Sequence, residues 1–363
     1  MGLLVRELSL ADFRSFERLT VAPSEGVTVL VGPNAAGKTN TVEALQLVTA
    51  GRSFRRPRPR DLVREGASSA RAAARLEGDG RVVDVRCDVV DGRRQFSRNG
   101  KRCQAADLPE SLMSVLFTPD DLDLVKRGAS HRRDELDDFG RQANRGYANV
   151  LSAYTRAIEQ RNRLLKDPMV APSLLDAWDA SVSLGGATLL EARLRLWGRL
   201  AEKVSAVYAE VSGGEELACS YGCTLGDEAL GLGRDDLREL FAEALAERRE
   251  EDLRRQQTCV GPHRDDVTFL IGGRDARSFG SQGQQRSVAL ALKMAEVELA
   301  SEILGSTPLL LLDDVMSELD ATRRDAVVRF VGRGIQTVIT TTNLGYFSPD
   351  LLDDAEVVSF GER

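Results

Sequence analysis

Gly32-Pro33-Asn34-Ala35-Ala36-Gly37-Lys38-Thr39 spells G-x-x-x-x-G-K-T, the pattern of a phosphate-binding loop. Before it runs Val27-Thr28-Val29-Leu30-Val31, an unbroken β-branched and aliphatic stretch that predicts a strand buried on both faces. After it, Thr39 to Thr49 reads as a helix with Val42, Leu45 and Val48 at three-residue spacings. The residue types suit the chemistry. Small residues let backbone N–H groups turn inward around a phosphate, and the helix N-terminus adds the positive end of its dipole. Lys38 then reaches the β- and γ-phosphates, and the Thr39 hydroxyl ligates Mg²⁺. A Gly-rich turn matching by chance would not bring both flanking elements with it. The stretch predicts a nucleoside triphosphate site.

The 363 residues leave room for two domains, at about 100–200 residues each. Hydrophobic residues at 42% and charged residues at 29% describe a globular chain. A net charge of −7 gives no global attraction to nucleic acid or to an acidic membrane surface, so any DNA contact has to come from a local patch. Cys87, Cys103, Cys219, Cys223 and Cys259 form no C-x-x-C pair, and with two histidines in the chain a zinc site lacks partners. Reduced thiols in a cytoplasmic protein are expected. Arg6, Glu7, Asp12 and Arg14 interrupt the start of the chain, so no secretory segment is expected there. The aliphatic run Leu309–Leu312 is too short to span a bilayer, and no membrane association is expected.

Leu3 to Phe16 alternates and then turns at Asp12-Phe13-Arg14-Ser15-Phe16, which predicts an edge strand with Phe13 and Phe16 in the core. Arg14 and Ser15 precede the loop's strand, and their approach to the nucleotide is left open. Arg52, Arg55, Arg56, Arg58, Arg60 and Arg64, with Asp61 as the one acid among them, make the most basic stretch. Pro57 and Pro59 predict that it is an exposed loop outside helix and sheet. It either contacts nucleic-acid phosphates, through Arg55, Arg56, Arg58 and Arg60, or is simply solvated. Residues 70–102 read as a small antiparallel sheet with turns at Gly78-Asp79-Gly80, Asp91-Gly92 and Asn99-Gly100, and Met113 to Phe117 as another buried strand. From Leu122 to Gln257 the texture changes to long helices, with a three-heptad seam at Leu190, Leu194, Trp197, Ala201, Val204, Tyr208 and Val211. In Gly261-Pro262-His263-Arg264-Asp265-Asp266 the lone His263 is either structural or functional.

Two further motifs bear on the class. Pro308-Leu309-Leu310-Leu311-Leu312-Asp313-Asp314 is an aliphatic strand ending in acids. There the first carboxylate holds the Mg²⁺ shell and the second orients or deprotonates the attacking water. Upstream, Gly280-Ser281-Gln282-Gly283-Gln284-Gln285-Arg286 opens a helix, a place where a serine and a glycine form an anion site.

The order S-x-G-Q, helix, hhhhDD, Ser317-Glu318-Leu319-Asp320 resembles ABC-type ATPases. Phe13-Arg14-Ser15-Phe16, Gly51-Arg52-Ser53-Phe54-Arg55, Phe117-Thr118-Pro119-Asp120-Asp121-Leu122, Arg132-Arg133 and Gly261 to Asp266 narrow the resemblance to the bacterial RecF recombination mediator family, nearly end to end. The resemblance implies an α/β fold, an ABC-type P-loop ATPase head with an inserted helical lobe, like an SMC head. Residues 1–120 with 259–363 are expected to form the ATPase lobe, and 121–258 the insert. It further implies an ATP-dependent homodimer gripping double-stranded DNA, acting with RecR and RecO and indirectly on RecA, with slow, DNA-stimulated hydrolysis as a timer. ATP would lie on Gly32 to Thr39 and Asn40, Mg²⁺ on Thr39 and Asp313, and Asp314 would be catalytic beside Lys38. Ser281, Gly283, Gln284 and Asp320 would act in trans. Three departures stand out. Thr342 or Asn343 occupies the place of a switch histidine, Thr118-Pro119-Asp120 that of a metal-binding glutamine loop, and Glu135 an expected apolar position. The last predicts a local irregularity where the helical lobe begins. A transporter ATPase subunit and a chromosome-organising head are the competing functions. Against them stand the charged insert and the shortness of the seam.

Overall fold

The computed structural model describes residues 2–169 and 171–361. In chain order it begins with strands β1 (Leu4–Phe13), β2 (Phe16–Val21) and β3 (Val27–Val31), helix α1 (Lys38–Thr49), and strands β4 (Ala70–Gly78), β5 (Arg81–Val90), β6 (Arg93–Arg98), β7 (Lys101–Cys103) and β8 (Ser114–Phe117). Helices α2 (Ala129–Ala143), α3 (Arg145–Leu164) and α4 (Pro172–Ser212) lead to β9 (Leu217–Gly222), α5 (Arg234–Glu247) and α6 (Arg249–Arg255). The remainder is β10 (Asp266–Ile271), β11 (Arg274–Asp275), α7 (Ala276–Phe279), α8 (Gln282–Leu304), β12 (Leu309–Asp313), α9 (Ala321–Val331), β13 (Thr337–Thr341), α10 (Pro349–Asp354) and β14 (Glu356–Ser359).

The chain divides into two compact units, one formed up to Leu122 and from Leu290 onward, the other by Asp123–Ala289. In the first unit a five-stranded parallel sheet has the order β14-β3-β13-β12-β8. β12 and β13 are buried at every position, as expected where both faces of a parallel sheet are covered. A six-stranded antiparallel sheet has the order β2-β1-β4-β5-β6-β7. Its β4 alternates strictly, with Ala70, Ala72, Ala74 and Leu76 inward. Asp79-Gly80, Asp91-Gly92 and Asn99-Gly100 have positive φ at both residues, the turn that matches the strands' right-handed twist. Helix α1 packs against strands of both sheets. Its apolar residues Val42, Leu45, Leu47 and Val48 point in several directions and are all buried, which is why it lacks a polar face.

The second unit differs from the sequence expectation. The long helices are present, but Leu217–Gly222 forms β9, which pairs antiparallel with β10 over six residues. β11 extends that sheet. Arg132 of α2 forks onto the Asp266 carboxylate at 2.8 and 2.7 Å, and Arg133 donates to the Asp265 carbonyl. These bonds tie the start of β10 to α2, and the compact unit extends to Ala289. The expected boundary at 258 therefore moves to 289, and the Ser281 turn belongs to the insert. α2 also runs without interruption through Glu135, so the expected irregularity is absent. α4 packs against α3, α5 and β9 of its own unit, and Trp197 of its seam meets the Phe269 ring of β10. Gly186 permits the closest approach, since a Cβ there would lie 1.9 Å from the Phe241 ring. His263 is structural. Its Nδ1 lies 2.7 Å from the Tyr154 hydroxyl and its Nε2 3.0 Å from the Thr258 carbonyl, and burial pulls its pKa down to about 4.

Two buried arginines tie the insert together. Arg161 meets Asp179 at 2.5 Å, Asp252 at 2.6 Å and the Thr258 hydroxyl at 2.9 Å. Arg193 meets Asp137 and donates to the Pro262 carbonyl at 2.6 Å.

Candidate active site

β3 leads into the loop Gly32–Gly37, and α1 starts at Lys38 with Gly37 as its N-cap. Gly37 sits at φ +102 with the Phe16 ring 2.3 Å from where a Cβ would be, so only glycine fits. Ala35 is also left-handed, at φ +65. Pro33, Asn34 and Ala35 are exposed and Lys38 is buried. Lys38 Nζ donates to the carbonyls of Gly32 and Pro33 at 2.6 and 2.8 Å. Burial pulls its pKa below the ordinary lysine value, while the charges of Asp314 and Asp313 push it back up.

Between β3 and β12 lies β13. The Asp313 carboxylate at the end of β12 accepts from the Thr39 hydroxyl at 2.9 Å and the Thr340 hydroxyl at 2.8 Å. The same Thr340 oxygen accepts the Asp314 N–H at 2.9 Å. One side chain from β13 thus aligns both acids. Burial raises the Asp313 pKa, and the two hydroxyls counter it. Asp314 is raised by burial and then by the charge of Asp313, which suits a proton acceptor. Its Oδ1 is buried without a hydrogen-bond partner, and its backbone is left-handed at φ +55. The hydroxyl of Thr39 and the carboxylate of Asp313 are oxygen donors of the kind that fit Mg²⁺. Thr340→Val leaves Asp313 without one of its two donors and should raise the Mg²⁺ concentration for half-maximal hydrolysis about tenfold, a charged hydrogen bond being worth about 1.5–3 kcal/mol. A Mg²⁺ titration of hydrolysis checks this.

A second cluster was not legible in the sequence. Glu43, fully buried in α1, accepts from Arg14 through two bonds at 2.9 and 2.7 Å, from the Ser53 hydroxyl at 2.6 Å, and from Arg55 at 3.3 Å. Arg55 also donates to Asn40 Oδ1 at 2.8 Å, and Asn40 Nδ2 donates to the Ser15 hydroxyl at 3.0 Å. These bonds place the two residues whose approach to the nucleotide the sequence left open. Arg14 is bound to Glu43 and to the Asp61 carbonyl, and Ser15 sits beside Asn40, next to Thr39. Arg55, expected with the DNA-facing arginines, is exposed as they are but also reaches Glu43 and Asn40 of α1, and its charge acts on Asp313. Arg56, Arg58 and Arg60 remain exposed. Their loop ends in a 3₁₀ turn at Pro59–Leu62, where the prolines predict no helical structure. Arg94 anchors it through the Pro57 carbonyl at 2.8 Å.

The signature residues lie in the second unit. Ser281 Oγ accepts the Gln284 N–H at 3.2 Å, and Gln284 Oε1 accepts the Ser281 N–H at 2.9 Å, a reciprocal capping box opening α8. Gly283 follows within its first turn. Asp320 caps α9 by accepting the Arg323 N–H, which holds its carboxylate below the ordinary value. Asn343, at the switch-histidine position, spends its side chain accepting the Gly345 N–H. In the loop Thr118-Pro119-Asp120, Thr118 donates its N–H and hydroxyl to Asp121.

Phosphate loop and paired acids on one parallel sheet, with a signature turn carried by an inserted unit, are the division of parts made by an ABC-type ATPase head of the SMC form. Residues 4–350 match the RecF/RecN/SMC N terminal domain. The DNA replication and repair protein RecF of Symbiobacterium thermophilum is 42% identical over 347 residues, covering 93% of this chain and 91% of that protein. The chain belongs to the RecF family. The RecF of Gloeobacter violaceus is 38% identical over 368 residues, 98% of this chain and 96% of that one. Among solved structures, the recombination mediator protein RecF with ATP, in the RecFOR pathway, superposes with a TM-score of 0.87 at 30% identity, covering 96% of this chain and 94% of that one. An SMC head bound to the winged-helix domain of ScpA, at 17% identity with a TM-score of 0.57 over 99% and 94% of the two chains, shares the fold alone. The family match along the chain overturns the transporter alternative. Among the described residues no helix is long and apolar enough to cross a membrane.

Proposed function

We propose that this protein is an ATP-switched DNA clamp of recombinational repair, a mediator that works with RecR and RecO and brings RecA to gapped DNA. The observation that carries the proposal is the cluster Lys38, Thr39, Asp313 and Asp314 beside the C-terminal ends of the parallel strands, where Thr340 of the central strand bonds both acids. ATP phosphates enter the backbone N–H groups of Gly32 to Lys38, and Lys38 transfers from its two loop carbonyls to the β- and γ-phosphates. Mg²⁺, when bound, neutralises charge on those oxygens, and Thr39 and Asp313 are the residues that would hold it. Asp314 orients the attacking water and takes its proton. Its short side chain makes hydrolysis slow, so the ATP state lasts as a timer. Ser281, Gly283 and Gln284 of one protomer close over the γ-phosphate held by another, with Asp320 beside them.

Sedimentation velocity without nucleotide, with ADP and with ATP tests this, using Asp314→Asn to retain ATP. A dimer formed only with ATP supports the clamp; a monomer throughout, even with duplex DNA, removes it.

The exposed Arg56, Arg58 and Arg60 are assigned to the DNA backbone. Replacing all three with alanine is expected to flatten the plot of log affinity against log salt by about 2–3 units. Fluorescence anisotropy on duplex DNA at several salt concentrations measures the slope, and an unchanged slope makes the loop merely solvated.

A further inference from the structure

Gln284 is held by a residue that lies 69 positions away in the chain. Its Nε2 donates to Glu215 Oε1 at 2.7 Å. The other carboxylate oxygen of Glu215 accepts the hydroxyl of the buried Tyr208 at 2.5 Å. The backbone at Glu215 is fixed as well. Its N–H donates to the Ser212 hydroxyl at 3.1 Å. The chain reaches it through Gly213 and Gly214, both left-handed, directly after the 41-residue helix α4.

An amide has one donor end and one acceptor end. With Nε2 on Glu215, the oxygen of Gln284 has to face the Ser281 N–H, as observed at 2.9 Å. The return bond from the Gln284 N–H occupies an acceptor site of the Ser281 hydroxyl, so the hydroxyl proton is directed away from the helix. That is the orientation needed to donate to an anion approaching the first turn of α8. Without the carboxylate, the amide loses the contact that distinguishes its two ends, and the Ser281 N–H loses a fixed partner.

We propose that Glu215 is the positioning residue of the signature turn. It sets the amide of Gln284, and through it the hydroxyl of Ser281, for the γ-phosphate of a nucleotide held by a second copy of this chain. Tyr208 and Ser212, at the end of α4, hold Glu215 in turn. The inference rests on the trans role of Ser281 proposed above.

Glu215→Ala, Glu215→Gln and Ser281→Arg, compared by sedimentation velocity with Mg-ATP and by ATP affinity at protein concentrations that keep the chain monomeric, test it. Glu215→Ala is expected to need about tenfold more protein to dimerise, the loss of one charge-assisted hydrogen bond. Its monomer should bind ATP as the parent does, because the phosphate loop is untouched. Glu215→Gln should stay within about twofold of the parent, since an amide oxygen accepts from the same Gln284 Nε2. Dimerisation of Glu215→Ala at parental concentration, while Ser281→Arg does not dimerise, overturns the positioning role alone. A loss of monomer ATP affinity in Glu215→Ala, or no rescue by glutamine, also overturns it, because damage to the fold would then be the cause. Dimerisation of Ser281→Arg with ATP overturns the trans reading on which the proposal stands.

Discussion

Lys38→Ala is expected to abolish ATP-driven dimerisation. The ammonium is buried against the carbonyls of Gly32 and Pro33, so it is already located where phosphate oxygens would take their place. Removing it deletes a charge-assisted interaction of about 1.5–3 kcal/mol, a roughly 10- to 150-fold loss in ATP affinity. It also leaves the negative charges of Asp313 and Asp314 without the neighbouring cation that acts on both. Nucleotide affinity by calorimetry and assembly by sedimentation velocity should fall together. A variant that still dimerises with ATP would take the phosphate loop out of the mechanism.

The second large effect concerns stability. Arg161→Met should cost the inserted unit about 3–5 kcal/mol, because Asp252, fully buried, and Asp179, nearly so, would be left facing one another without their shared cation. Adding Asp252→Asn should recover part of the loss. Asparagine keeps an oxygen for the Cys259 N–H, which Asp252 accepts at 2.9 Å, and removes the stranded charge. Urea unfolding of the parent, both single variants and the double variant closes the cycle. Strict additivity would mean that the pair does not act as a unit.

What the sequence revealed follows from how local the chemistry is. The phosphate loop, its flanking strand and helix, and the Asp313-Asp314 strand end are each written within about a dozen consecutive residues, so their types and order could be read directly. The paired turns of the antiparallel sheet were legible for the same reason, since Asp-Gly and Asn-Gly dictate positive φ. Thr340 acting on Asp313, Glu43 collecting Arg14 and Arg55, and Glu215 holding Gln284 all depend on partners brought together by the fold. No spacing announces them. Arg55 shows the limit most clearly. It sits in a basic cluster whose composition suggests an outward-facing patch, and it is exposed there, yet it also reaches a buried carboxylate on α1 that no spacing announces. The insert boundary was displaced by a single missed strand. Leu217 to Gly222 lacks a strong strand pattern, and its pairing with β10 places residues beyond 258 in the same compact unit as the helices.

Asp314 rests in a left-handed conformation at φ +55. Among non-glycine residues that conformation favours aspartate and asparagine. One dihedral angle therefore filters what mutation and selection can do at the position proposed for the proton acceptor. Glycine would relax the backbone and discard the proton acceptor. Asparagine would keep the backbone and hold ATP uncleaved. Glutamate would gain reach toward water while opposing the turn by about 1 kcal/mol. On the role proposed for Asp314, a lineage that keeps this turn inherits the short side chain with it, and backbone geometry as much as acid strength would set its pace of turnover.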